Sequence, residues 1–152
     1  MSFGMRVVGL FGMRERMAAR RDKLADRRGV YLRAAVVVEA WVQRNFQADG
    51  KRHEDPSLWW PPLKPSTIAR RRQGSGVGNP QILRDTGRLR GGFETRATAR
   101  YGEVRNRVEY AVYHEEGNPR GRPPQRKMLP ARGQAETLAA PLFKTFVREA
   151  IK

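Results

Sequence analysis

The stretch PQILRDTGRLRGGFE, residues 80–94, decides how the chain is read. Ile82, Leu83 and Leu89 flank a Thr86-Gly87 pair, arginines are threaded between them, and two more glycines follow at 91 and 92. That spacing fits neither an amphipathic helix nor a strand, while the glycines permit sharp bends. The segment reads as a strap that fixes Ile82, Leu83 and Leu89 in a core, turns at Thr86-Gly87 and delivers the chain into a β-hairpin.

Beyond the strap the period becomes two. Phe93, Thr95, Ala97 and Ala99 share one face, and Glu94, Arg96, Thr98 and Arg100 the other. Tyr101-Gly102 reads as the turn, with Val104, Asn106 and Val108 alternating against Glu103, Arg105 and Arg107 in a returning strand. One arginine-bearing wet face is the ordinary condition of an antiparallel sheet and does not by itself indicate binding. EYAVYHEEG (109–117) then reads as a short helix or turn closed by Gly117 in a left-handed cap. NPRGRPPQR (118–126) is a loop and KML (127–129) a further short strand. ETLAAPLFKTFVREAIK (136–152) is a helix with Leu138, Leu142 and Phe146 on one stripe and Phe143, Val147 and Ile151 beside it. Pro141 is expected near its first turn or at a kink.

Upstream of the strap, the spacing predicts a helix from Arg14 to Phe46, with Met17, Leu24, Tyr31, Val38 and Trp41 or Val42 on one face. Unbroken, it would run about 45 Å, longer than a small domain is wide, and Gly29 offers a bend or break at Arg27-Arg28-Gly29. Its first half, RERMAARRDKLADRR (14–28), is charged, with Met17 and Leu24 as its apolar anchors. It either meets a partner or stands as a solvated arm held by its own ion pairs. The second half, VYLRAAVVVEAWVQRNF (30–46), is apolar enough to pack on more than one side. QADGKRHEDPSLWWPPLKP (47–65) carries turn signals throughout. Its Trp59 and Trp60 are candidates for base stacking, but beside two prolines they more often pin a loop to the core or to a neighbouring subunit. Ser66 or Thr67 can cap a short helix bearing Arg70, Arg71 and Arg72, which point three ways, and GSGVGN (74–79) follows as a flexible run.

The expected architecture is α+β: a long N-terminal helix and a C-terminal helix packed on a small antiparallel sheet, with a long extended loop. The 152 residues suit one domain, with a basic arm at 1–28 and the extended loop with its short helix at 47–80.

The charge narrows the function classes. Thirty-one Lys and Arg against 15 Asp and Glu give a net +16, nearly all of the excess arginine, so the chain calls for a polyanion or an acidic partner surface. With no cysteine, neither a disulfide framework nor a Cys-based zinc site is available. No apolar run approaches the roughly 20 residues of a membrane span and no signal-peptide core stands at the N-terminus, so the expectation is a soluble protein made in the cytoplasm. His114 in HEEG has no second histidine at the fourth position beyond it, and His53 is the other histidine of the chain, which argues against a metal site. No phosphate-binding loop, nucleophile elbow or paired carboxylates in an apolar setting are present. The expectation is therefore no catalysis, no metal and no cofactor. A small ribonuclease-like toxin is a weaker alternative, because the long helix and the 47–80 segment exceed what such a compact enzyme needs.

Four short motifs, taken in order, resemble the bacteriophage virion morphogenesis family of tail-completion or neck proteins. They are Trp60, Leu63 and Thr67; then Ile82, Leu83, Thr86, Gly87 and Leu89; then Tyr110, Ala111, His114 and Gly117; and finally Arg126, Met128 and Leu129. The resemblance covers residues 59–132, with Lys127 standing where the family usually has proline. It implies a structural protein that forms a ring between the DNA-filled head and the tail. The implied partners are copies of itself, neighbouring neck proteins on the portal, adaptor or stopper side, and the tail terminator or tail tube. Candidate subunit contacts are Trp59, Trp60, Leu63, Thr67, Met17 and Leu24. For the positive charge, acidic neighbours are preferred over DNA in the lumen, with Arg70, Arg71, Arg72, Arg120, Arg122 and Arg126 as the candidate contacts. The alternative from another class is a free basic nucleic-acid-binding protein.

Overall fold

The computed structural model describes residues 10–73 and 81–151, excluding the side chains of residues 10–14, 72 and 73. The GSGVGN run, the first nine residues of the basic arm and the side chain of Arg72 lie outside the described residues.

Helix α1 runs Leu10–Ala25 and α2 runs Arg28–Gln47. The break falls at Asp26–Arg27, just ahead of the expected position, and Gly29 lies inside α2. An aspartate side chain competes for nearby amides, and here Asp26 Oδ1 accepts from Arg28 N at 3.3 Å while Arg27 Nε donates to Leu24 O at 2.8 Å. Residues 15–23 of α1 are exposed, Met17 at 58%, and Leu24 is half-buried. In α2, Val30, Ala34, Ala35, Trp41, Val42 and Phe46 are buried, because the helix meets the hairpin and the C-terminal helix at once. The expectation of packing on more than one side holds.

Helix α3 spans Pro65–Gln73 and α4 spans Arg88–Gly91. Neither Ser66 nor Thr67 caps α3. Thr67 N and Ile68 N both donate to Lys64 O, so the helix opens two or three residues earlier, with Pro65 at its first position, where no amide is needed. The strap turns as expected at Thr86-Gly87. Gly87 has φ +77, Thr86 Oγ1 accepts from Arg88 N at 3.4 Å, and Gly87 O accepts from Gly91 N at 2.9 Å. A Cβ at 87 would meet nothing within 4 Å, so its cost is conformational alone. Gly87→Ala is expected to cost about 1–2 kcal/mol, read as a lowered urea midpoint at unchanged slope.

Strands β1 (Phe93–Ala97) and β2 (Gly102–Asn106) pair antiparallel in the register Phe93↔Asn106, Thr95↔Val104, Ala97↔Gly102. The turn occupies 98–101 rather than Tyr101-Gly102, because Thr98 N donates to Tyr101 O and Thr98 Oγ1 takes Arg100 N and Tyr101 N. Ala99 and Arg100 therefore leave the strand. Val108 also lies beyond β2 and is buried there, since Asn106 Oδ1 accepts its amide at 2.9 Å and Asn106 Nδ2 donates to Leu89 O at 2.7 Å. On the wet face Glu94 is ringed by Arg105, Arg107 and Arg96, and the Arg105 hydrogen bond holds its carboxyl below the usual range.

Helix α5 is Ala111–Glu115, and the expected Gly117 follows it at φ +88. Helix α6, Arg132–Ala150, contains Pro141 in its interior rather than in its first turn. Leu138, Leu142, Phe143 and Phe146 are half-buried on α6, with Phe143 edge-on to Tyr31 at 5.3 Å, whereas Val147 and Ile151 are exposed. The core gathers Trp41, Val42, Phe46, Trp60, Leu89 and Phe93 with Val108, Ala111 and Met128, and the strap's Ile82 and Leu83 pack against it. The fold is thus α+β, with α2 sandwiched between a two-stranded sheet and α6.

Candidate functional site

Residues 126–129 are not a strand. A strand needs its amides and carbonyls on a ladder, and here several of them are taken by partners that are not strands. Arg126 N donates to His114 O at 2.7 Å, and the Glu115 carboxylate accepts from Met128 N at 2.6 Å and Leu129 N at 3.2 Å. Lys127 O accepts from Trp60 Nε1 at 2.7 Å and from His53 Nε2 at 2.9 Å. A carbonyl can only accept, so His53 carries its proton on Nε2. His53 is buried, edge-on to Trp41 at 5.1 Å, and is a structural residue rather than a ligand.

This hub stitches the extended loop to the C-terminal half of the chain. Trp60 is 5% exposed and stands edge-on to Phe46 at 5.1 Å. Of the two readings weighed for the tryptophans, Trp60 is the pin and belongs to the core of its own chain, not to a surface for a neighbour. Trp59 is 45% exposed, its Nε1 donating to His53 O at 3.1 Å. Arg126 is buried and donates to Pro61 O through Nε and Nη2, at 3.2 and 3.0 Å. It therefore clamps the Trp60-Pro61-Pro62 loop.

The strap is anchored from two sides. At the end of α2, Asp49 sits at φ +49, and its Oδ1 accepts from Ile82 N at 3.2 Å and lies 3.7 Å from Arg84 Nη2. From α3, Arg71 Nη1 donates to Gln81 O at 2.7 Å, with its Nε 3.7 Å from Asp85 Oδ1. Arg71 is thus an internal tie and only half-buried, while Arg70, Arg120 and Arg122 are exposed.

Around these ties the four sequence motifs converge on one groove of about 1100 Å³. Leu63 and Thr67 come from the loop and α3, Leu83, Thr86, Gly87 and Leu89 from the strap and α4, Tyr110 and His114 from the α5 region, and Arg126 from the floor. Ile82, Ala111, Met128 and Leu129 lie behind it in or against the core. Met17 and Leu24, on α1, are not among its lining. Burial, assisted by the Arg126 guanidinium, lowers the His114 imidazole from its ordinary value. Burial raises the Glu115 carboxyl in spite of its two amide donors.

Nothing in the local sequence marks Glu115, His53 or Asp49 as functional. Asp49-Gly50 carries a turn signal that could have flagged it, but nothing local distinguishes half-buried Glu115 from exposed Glu116. Among the described residues no group of three or more His, Asp and Glu could hold a metal, and no helix is long and apolar enough to cross a membrane.

Fold and groove together define a small basic α+β protein whose short motifs organise a concave surface. The phage virion morphogenesis family model matches residues 12–140, and the chain belongs to that family. It is accordingly a virion-associated protein with a role in phage virion assembly. No match was found among curated proteins or among solved structures.

Proposed function

We propose that the protein is a neck or tail-completion component that assembles as a homo-oligomeric ring at the head–tail junction and helps join the tail to the DNA-filled head. The observation that carries this reading is the family match across residues 12–140. The exposed arm α1 and the exposed Trp59, Leu32 and Val36 support it as surfaces for clasping neighbours. The role is structural rather than catalytic, and the proposed partners are further copies, the adjoining neck proteins and the end of the tail.

A charge of +16 per copy, multiplied around a ring, needs acidic surfaces against it. Acidic protein neighbours fit better than DNA in the lumen, because a conduit that grips phosphate strongly slows the passage of DNA. The test is the mass of the purified protein in solution, with and without short duplex DNA, over a salt series. The expected result is a multi-subunit species that forms without DNA and does not change with DNA at physiological salt. A monomer or dimer whose mass rises with DNA, with an affinity falling steeply as salt increases, overturns the reading in favour of nucleic-acid binding.

A further inference from the structure

The groove carries cations that its own acids do not match. Lys64, Arg70 and Arg122 stand exposed around it. Among the described residues lining it, Asp85 is the one carboxylate, and it is already paired with Arg71. Pro61, Pro62, Pro123 and Pro124, with Leu63 and Leu83, add apolar surface to the same lining. A concave, largely apolar surface with a few convergent polar groups is the usual form of a binding site.

We propose that this groove is the docking site for an extended, acidic segment of another protein of the virion. Its carboxylates meet Lys64, Arg70 and Arg122, and an apolar or proline residue between them rests on Leu63 and Leu83. The inference rests on the assembly reading above and names the chemistry of the partner. Three considerations select this occupant. Guanidinium groups receive carboxylates in bidentate geometry, so charge complementarity favours an acidic ligand. A second copy of this chain brings a further +16, so charge complementarity favours a different, more acidic chain. Duplex DNA presents a convex row of closely spaced phosphates, whereas these cations line a concave groove together with four prolines.

The proposal is tested with a fluorescent peptide in which glutamate alternates with leucine and proline, its binding to the full chain followed by anisotropy over a salt series. A lysine-for-glutamate version of the peptide and a short DNA duplex serve as competitors. Arg70→Glu with Arg122→Glu reverses the groove charge at exposed positions. Arg96→Glu with Arg100→Glu makes the same change on the hairpin, remote from the groove lining. Thermal melts confirm that each variant is folded.

The expected result is that the groove reversal weakens the acidic peptide roughly tenfold or more, while the hairpin reversal changes it less than about twofold. The lysine peptide should not compete. The proposal is overturned if the wild-type chain does not bind the acidic peptide, if the groove reversal leaves binding intact, or if the duplex displaces the peptide in a groove-dependent way. Because the anisotropy reads the groove and the solution mass reads ring formation, failure of either reading is seen separately: rings without peptide binding sink only the docking site, and peptide binding without rings sinks only the ring.

Discussion

Trp60→Ala is expected to remove about 3–5 kcal/mol of stability, the largest loss of any single truncation considered for this chain. The indole is fully enclosed. Phe46 meets it edge-on at 5.1 Å, its Nε1 donates to Lys127 O at 2.7 Å, and the backbone of Gly50 presses on its face. Deleting it opens a cavity in the main core and leaves His53 as the remaining side-chain donor to Lys127 O. Trp60→Phe keeps much of the volume but removes the N–H, so it should cost about 1–2 kcal/mol. The two variants separate packing from hydrogen bonding, read as urea midpoints. A Trp60→Ala loss under about 1 kcal/mol would mean that the loop is not pinned by this residue.

Gly50 sits against the same ring. Its φ is +83, and a Cβ there would lie 2.1 Å from Trp60 Cγ, so Gly50→Ala carries both a left-handed backbone penalty and a clash with a ring that cannot yield. The clash disappears when Trp60 is already alanine, but the backbone penalty remains. The cost of Gly50→Ala should therefore be smaller in the Trp60→Ala background, and a double-mutant cycle that is additive would rule out the contact.

These tertiary ties explain how far the sequence could be read. The strap, its Thr86-Gly87 turn, the hairpin and the apolar second half of the N-terminal helix were legible because periodicity and glycine report directly on local geometry. KML was misread because its three residues have strand composition. What keeps them off a ladder is Glu115, thirteen residues from Met128, together with Trp60 and His53, much farther away in the chain. The break before α2 was placed beside a glycine, yet an aspartate made it, since a side chain that captures an amide ends a helix as effectively as missing side-chain bulk. The motif residues of the groove were legible as an ordered set, but their convergence depends on Arg71 and Arg126 facing inward. An arginine in a chain this basic reads as surface charge until its carbonyl partners are seen.

Glu115 is the other position where a large effect is expected, and there its size depends on pH. Its carboxylate is the acceptor for Met128 N and Leu129 N, and Met128 is almost fully buried. Glu115→Ala leaves both amides without that acceptor and is expected to cost about 2–4 kcal/mol. Glu115→Gln retains an acceptor oxygen and should recover part of this loss. Burial raises the folded-state pKa of Glu115 above its ordinary 4.5 and outweighs the two amides. A raised carboxyl pKa means that the folded chain holds the proton longer than the unfolded chain. Over the interval from about 4.5 up to the folded value, this group therefore makes the protein less stable as pH rises, and above that interval its contribution is flat. Glutamine does not titrate, so the stability of the wild type minus that of Glu115→Gln should fall across this interval and level off above it. Urea melts of both proteins through the acidic range measure the difference directly, with the other carboxylates cancelling. Parallel curves would show that burial and the two amides cancel at this site, and a difference that rises with pH would show that the amides prevail and hold the carboxylate ionised as the closing charge of the Met128-Leu129 clasp.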